Sequence, residues 1–118
     1  MKILSWNIRG LNGIHKKEVV RNMIRDQRPE LFLIQETKMK KESLEKIKFN
    51  NRMKGIASNS EGVFGGLMLL FNDKYFNIVA KFDKDNILFC RVQQLQTNDF
   101  WFLVNIYAPN NKRDRKNF

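Results

Sequence analysis

Apolar and polar positions follow two different rhythms along this chain. A short strand over Lys2–Asn7 opens it and is closed by Arg9-Gly10-Leu11-Asn12-Gly13, where two glycines and an asparagine within five residues end regular structure. Val19, Val20, Met23 and Ile24 then recur at helical spacing, with Arg21, Asn22, Arg25 and Asp26 on the opposite side. This predicts a helix over His15–Gln27, stopped by Pro29. The next strand is expected over Glu30–Gln35. Its run Leu31-Phe32-Leu33-Ile34 is apolar on both faces, as suits a strand covered on both sides in a parallel strand–helix–strand unit. A second helix is expected over Lys40–Lys48, with Leu44 and Ile47 inward and offset pairs Lys41–Glu45 and Glu42–Lys46 outside.

After Gly55 the rhythm shortens. Strand-like runs over Gly66–Phe71, Phe76–Phe82, Ile87–Leu95 and Phe100–Tyr107 alternate with Asn72-Asp73-Lys74, Asp83-Lys84-Asp85-Asn86 and Gln96-Thr97-Asn98-Asp99, each with the chemistry of a hairpin turn. This half reads as an antiparallel meander, and the whole as one mixed α/β unit. The last strand is apolar on both faces and wants coverage there. The segment Asn110–Phe118 is polar and basic.

Composition narrows the function classes. With 118 residues, 42% hydrophobic and ten phenylalanines, the chain carries enough bulky apolar side chain for a true core and too much for a disordered tail. Lys and Arg outnumber Asp and Glu by 22 to 12, a net +10 that favours polyanionic partners such as nucleic acid. Cys90 stands alone, so it has no disulfide partner within the chain and offers no cysteine zinc site. It reads as a small apolar strand residue, and the cysteine usage suits a reducing, intracellular compartment. The longest nearly apolar run, Gly62–Phe71, falls short of the roughly 20 residues that span a bilayer, so no membrane partner is expected.

Polar residues with chemistry to offer stand at strand ends: Asn7 after the first, Glu36 after the second, Tyr107 at the close of the last. Loops at such ends present polar groups on a rigid base, and a carboxylate there suits Mg²⁺, which takes oxygen ligands and keeps several waters. Each has an ordinary structural alternative. Asn7 can bond its own backbone in a turn, Glu36 can be a solvated salt-bridging residue, and Tyr107 is a common strand residue. His15, at the start of an exposed helix, has no carboxylate motif beside it.

Four segments taken together resemble a known family: Ser5-Trp6-Asn7-Ile8-Arg9-Gly10-Leu11, Ile34-Gln35-Glu36-Thr37-Lys38, Gly65-Gly66-Leu67 and Asn105-Ile106-Tyr107-Ala108-Pro109-Asn110. In this order they resemble the N-terminal half of the endonuclease/exonuclease/phosphatase family, in particular the endonuclease domain of plant LINE-type (non-LTR) retrotransposons. The resemblance implies a four-layer α/β sandwich, with residues 1–118 a single partial domain stopping before its C-terminal half. It implies that Glu36 binds a catalytic divalent cation, usually Mg²⁺, that Asn7 organises the metal and phosphate site, and that Tyr107 contacts the scissile phosphate. Asn110 would lie near that phosphate, and Lys38 and Arg113 would contact the nucleic-acid backbone. The activity implied is nicking of target DNA, which would place the protein in the nucleus. Arg9 stands where repair-type relatives carry an acidic residue, a departure that favours the retroelement branch. The family's Gly-Asp-Phe-Asn and Ser-Asp-His segments are absent, and with them the groups that activate water, so this chain is expected to be inactive alone. The missing C-terminal half of the same domain is therefore an expected partner. Alternatives from other classes are a non-catalytic basic nucleic-acid-binding remnant, a decayed transposon fragment, and a relative acting on phospholipids.

Overall fold

The computed structural model describes residues 1–58, 65–84 and 86–107. Its elements are β1 (Ile3–Asn7), α1 (Ile14–Gln27), β2 (Leu31–Gln35), α2 (Lys41–Glu45), β3 (Met53–Ala57), β4 (Leu67–Asn72), β5 (Phe76–Lys84), β6 (Ile87–Gln94) and β7 (Asp99–Ile106). They form two sheets, one ordered β1-β2-β4-β3 and the other β5-β6-β7. β1 and β2 are parallel, joined through α1 as the sequence predicts; every other pairing is antiparallel. The fold is mixed α/β, a parallel strand–helix–strand unit followed by an antiparallel meander.

The alternation of side chains along β2 and β4 builds the layers. Phe32, Ile34, Met68 and Leu70 point to the helical side, where they meet Val20 and Ile24 of α1, Leu44 of α2 and Phe49. Leu31, Leu33, Leu67, Leu69 and Phe71 point the other way and meet Phe76, Leu88, Cys90 and Val92 of the second sheet. A strand apolar at consecutive positions can satisfy both faces only as a middle layer, and β2 and β4 occupy it. The order among the described residues is thus helices, first sheet, second sheet. The outer face of the second sheet carries Phe82, Phe89, Phe102, Val104 and Ile106; Phe102 is 68% exposed and Phe82 60%. Cys90 lies buried within β6, as the sequence suggests.

Three sequence expectations need correction. The run beginning near Gly66 does not open the meander. It is β4, lies between β2 and β3, and the Asn72-Asp73-Lys74 turn after it crosses to the other sheet instead of closing a hairpin. The helix expected over Lys40–Lys48 is one short turn, Lys41–Glu45. Ile47 N–H bonds back only three residues, to Leu44 O, tightening the chain so that Phe49 and Met53 reach the core. Side-chain pairs worth a few tenths of a kcal/mol do not hold a longer helix against that burial, and Glu45 also reaches Lys81 of β5 at 3.8 Å. Finally, Gly55 is a strand residue, not a boundary. A Cβ there would lie 2.5 Å from Met68 Cε and 3.1 Å from Leu70 Cδ2, so glycine is what lets β3 lie beside β4.

Candidate active site at the C-terminal ends of the parallel strands

Asn7 and Gln35 are register partners in the parallel pair, so the residues that follow each leave the sheet side by side. The departing chains stay bonded: Ile8 N–H donates to Gln35 O (3.1 Å), Gly10 N–H to Glu36 O (2.7 Å) and Leu11 N–H to Thr37 O (2.9 Å). On the other side Thr37 N–H donates to Gly66 O (3.0 Å) and Lys38 N–H to Gly65 O (2.9 Å). Tyr107 closes the group. Its N–H donates to Asn86 O (3.0 Å), and its ring edge would lie 3.7 Å from a Cβ on Gly65. Asn7, Glu36, Lys38 and Tyr107 thus gather at one end of the sandwich. Asn110 and Arg113 lie outside the described residues.

Backbone strain concentrates here. Arg9, Glu36 and Lys38 adopt φ of 55°, 58° and 55°, and Gly10, Gly65 and Gly66 adopt 104°, 70° and 91°. Each non-glycine residue in this region costs about 1 kcal/mol or more and persists only where the surroundings fix it. Here the fixing is the double set of bonds from the β1 loop and the glycine pair. The two glycines of the Gly65-Gly66-Leu67 segment have a stated reason: their turned backbone aims both carbonyls at Thr37 and Lys38.

The turn at Glu36 carries its carboxylate inward, where the residue is 7% exposed. Lys38 Nζ stands 3.6 Å from Oε1, an ion pair longer than a hydrogen bond. Oε2, and the hydroxyl of the following residue Thr37, are buried with no hydrogen-bond partner among the described residues. A buried carboxylate oxygen without a donor is costly unless a ligand completes it. Of the ordinary alternative for Glu36, the salt bridge is present, to Lys38, but the solvation is not: the carboxylate is buried. Asn7 is exposed, and its Oδ1 accepts the Arg9 N–H at 3.2 Å; the side-chain-to-backbone turn is present, and Nδ2 is left as a donor. His15 sits exposed on α1.

A hard cation fits this donor set in part. Oxygen is the right element, and Mg²⁺ takes one or two carboxylates with water and substrate oxygens filling the rest. Among the described residues no cluster of three or more metal-binding side chains adds to Glu36.

Sequence reasoning missed the residue that ties this end together. Asn105, on β7 and 3% exposed, donates through Nδ2 to Ile34 O and Met68 O, both at 3.1 Å, so it plugs the seam between β2 and β4. Its Oδ1 accepts from Gln35 Nε2 (2.8 Å), and the same Gln35 amide donates to Ser5 Oγ (3.0 Å). The Asn105 amide thus bonds the second sheet directly to β2 and β4, and the Gln35 amide extends the connection to β1. The signal for it was a single polar residue on the inward phase of the run Phe102-Leu103-Val104-Asn105-Ile106.

No protein-family model matches the sequence, and no curated protein matches it. Solved structures do. A humanized D. rerio TDP2 carrying 14 mutations superposes with a TM-score of 0.72 at 13% identity, over 94% of this chain and 51% of that one. The 3′ phosphatase NExo from Neisseria, bound to a product DNA hairpin, gives 0.62 at 16% identity over 93% and 42%. The human Nocturnin catalytic domain with a bound sulfate gives 0.61 at 14% identity over 92% and 50%. These neighbours have the endonuclease/exonuclease/phosphatase fold, and the fold of this chain matches part of it. The chain spans about half the length of these endonuclease/exonuclease/phosphatase-fold structures. At such identities the likeness speaks for the fold alone.

Proposed function

We propose that the end of the sandwich bearing Asn7, Glu36 and Tyr107 is the N-terminal part of a divalent-cation site for phosphodiester cleavage in DNA, of the retrotransposon target-nicking type. The observation that carries this reading is the Glu36 carboxylate, buried, held by a strained backbone, and left with Oε2 unpartnered. Glu36, through that oxygen, would hold Mg²⁺, whose role in such chemistry is to offset charge developing on the phosphate and leaving oxygen. Asn7 Nδ2 would donate to a phosphate oxygen, and Tyr107 would orient the scissile phosphate. Lys38 balances Glu36 without the cation and would turn to the DNA backbone once the cation is bound. Asn110 and Arg113 would extend that contact. A neighbour in fold, NExo, was solved with a product DNA hairpin, and the net +10 of this chain suits the same class of partner.

Among the described residues no histidine or aspartate stands with these groups to take a proton from water. The 118-residue chain is therefore proposed to bind cation and DNA without completing hydrolysis, with the complementary half of the domain as the partner that would complete the site. The test pairs two measurements on wild type and Glu36→Gln. Mn²⁺ binding followed by water-proton relaxation is expected for wild type and lost in the variant. Supercoiled plasmid is expected to stay intact with either. Equal Mn²⁺ binding by both proteins would refute the site; nicking abolished by Glu36→Gln would refute the proposed inactivity while supporting the site. The second reading, a basic nucleic-acid-binding module without catalysis, is favoured by the +10 charge and requires DNA binding that falls steeply with salt and ignores Glu36→Gln.

A further inference from the structure

The opposite end of the first sheet holds a second polar site, about 17 Å away along the five residues of β2. There the C-terminus of α1, the turn before β3 and the turn after β4 surround a cleft of about 240 Å³, and among its lining residues are Arg28, Glu30, Asn50, Arg52, Lys74 and Tyr75. An adjoining recess of about 200 Å³ shares Glu30 and Tyr75 and adds Gln94 and Gln96.

Its cations differ from their neighbours. Arg21, Arg25 and Lys54 each have a carboxylate within reach: Glu18 at 3.3 Å, Asp26 at 2.9 Å and Asp73 at 2.9 Å. Arg28 and Arg52, although close to these in the fold, form no ion pair among the described residues, and Lys74 lies over the Tyr75 ring at 5.7 Å. Two of the three cations are presented by the same device. Asn50 Oδ1 accepts the Arg52 N–H (2.8 Å) and Asn72 Oδ1 accepts the Lys74 N–H (3.1 Å), so two Asn-X-cation turns flank the cleft. Each turn uses the amide oxygen on the backbone and leaves the amide NH₂ as a donor beside the cation. The third cation, Arg28, sits in the left-handed region at φ 48°, where glycine is usual, closing α1 through its N–H to Ile24 O.

Charge decides what this cleft takes. Three cations face one carboxylate, Glu30, and the carbonyl end of α1, which carries roughly half a negative charge. The surplus is about one and a half positive charges, matched by a phosphate ester and unsuited to a neutral ligand. Guanidinium forks and amide NH₂ groups are the donors that phosphate oxygens accept. Beyond the phosphate, the Tyr75 ring, packed partly on the core between the two sheets and lying under Lys74 Nζ, offers a surface once Lys74 turns to the phosphate. Gln94 and Gln96 offer amide edges, and Glu30 can accept from a sugar hydroxyl.

We propose that this cleft is a nucleotide-binding site, taking a phosphate on Arg28, Arg52 and Lys74 and the attached nucleoside against Tyr75 and the glutamines. It stands independently of the candidate cation site at the other end.

Fluorescence anisotropy of a labelled single-stranded oligonucleotide at low salt with EDTA tests it, since no divalent cation then contributes. Arg28→Gly with Arg52→Gln removes two cleft charges, and the glycine relieves the left-handed strain, so the fold is expected to hold. Arg21→Gln with Arg25→Gln removes the same charge from ion-paired sites nearby. The cleft pair is expected to weaken binding about tenfold or more, and the control pair less than about twofold. Arg52→Gln with Lys74→Gln repeats the first arm without touching the cap of α1. Displacement of the oligonucleotide by adenosine monophosphate would identify a free nucleotide as the ligand; displacement only by unlabelled strand would identify a nucleotide within a chain. Equal losses in cleft and control variants, or no loss in the cleft variants, would overturn the proposal.

Discussion

Replacing Asn105 by leucine tests how the two sheets are locked together. Leucine keeps the branched shape of asparagine although its methyl groups are bulkier, so the perturbation is chiefly chemical, with some overpacking added. Three hydrogen bonds disappear: two from Nδ2 to Ile34 O and Met68 O, and one from Gln35 Nε2 to Oδ1. At about 1 kcal/mol net each the loss is about 3 kcal/mol. A carbonyl has two lone pairs, so Ile34 and Met68 are not counted as orphaned acceptors. Added apolar burial returns about 1 kcal/mol, leaving a destabilisation of about 2 kcal/mol. For a domain of this size that is a fall in Tm of roughly 8 °C, read by circular dichroism and checked by urea denaturation. Asn105→Asp is expected to be worse, because it sets a buried carboxylate against two carbonyl oxygens with no cation beside it. Because Gln35 immediately precedes Glu36, both variants are also expected to weaken Mn²⁺ binding without touching Glu36. A leucine variant within about 0.5 kcal/mol of wild type, or an aspartate variant as stable as wild type at neutral pH, would refute the lock.

Gly65→Ala combines φ 70° with a Cβ 2.8 Å from Asn86 Oδ1, so a loss of about 1–2 kcal/mol is expected in urea denaturation, with Mn²⁺ binding weakened through the displaced Lys38 N–H. Burial pushes the Cys90 thiol up from 9.0 to about 11. A folded-state value above the unfolded one gives stability that is complete below about pH 9 and lost as pH climbs through about 11, at most about 2–3 kcal/mol. Cys90→Val should therefore show a smaller alkaline loss than wild type, and parallel curves would refute the assignment. Phe82→Lys with Phe102→Thr breaks the apolar outer face of the second sheet. Light scattering at high protein concentration should fall, while stability drops by no more than about 1 kcal/mol for the lost Phe89–Phe102 stack, whose centroids are 5.4 Å apart.

What the sequence determined by itself is what neighbouring residues determine in each other. The helical spacing of Val20 and Ile24 placed α1 within a residue of its start, the unbroken run from Leu31 to Ile34 announced a strand covered on both faces, and β6 pairs antiparallel with β5 and β7 as the expected hairpins require. Side-chain alternation and turn chemistry are local, so they survive in the linear order. Partnership does not. Nothing near Gly66 distinguishes a strand beside β2 from one beside β5, and Gly55 reads as a break until Met68 and Leu70 are seen to need the space its side chain would fill. The candidate site divides the same way. Asn7, Glu36 and Tyr107 were legible as polar residues at strand ends. The burial of Glu36, its strained backbone and its unpartnered oxygen exist only because the β1 loop and the glycine pair bond it from both sides. Asn105 makes the point most sharply: its meaning lies in carbonyls 71 and 37 residues away, and only folding brings those within reach of one amide.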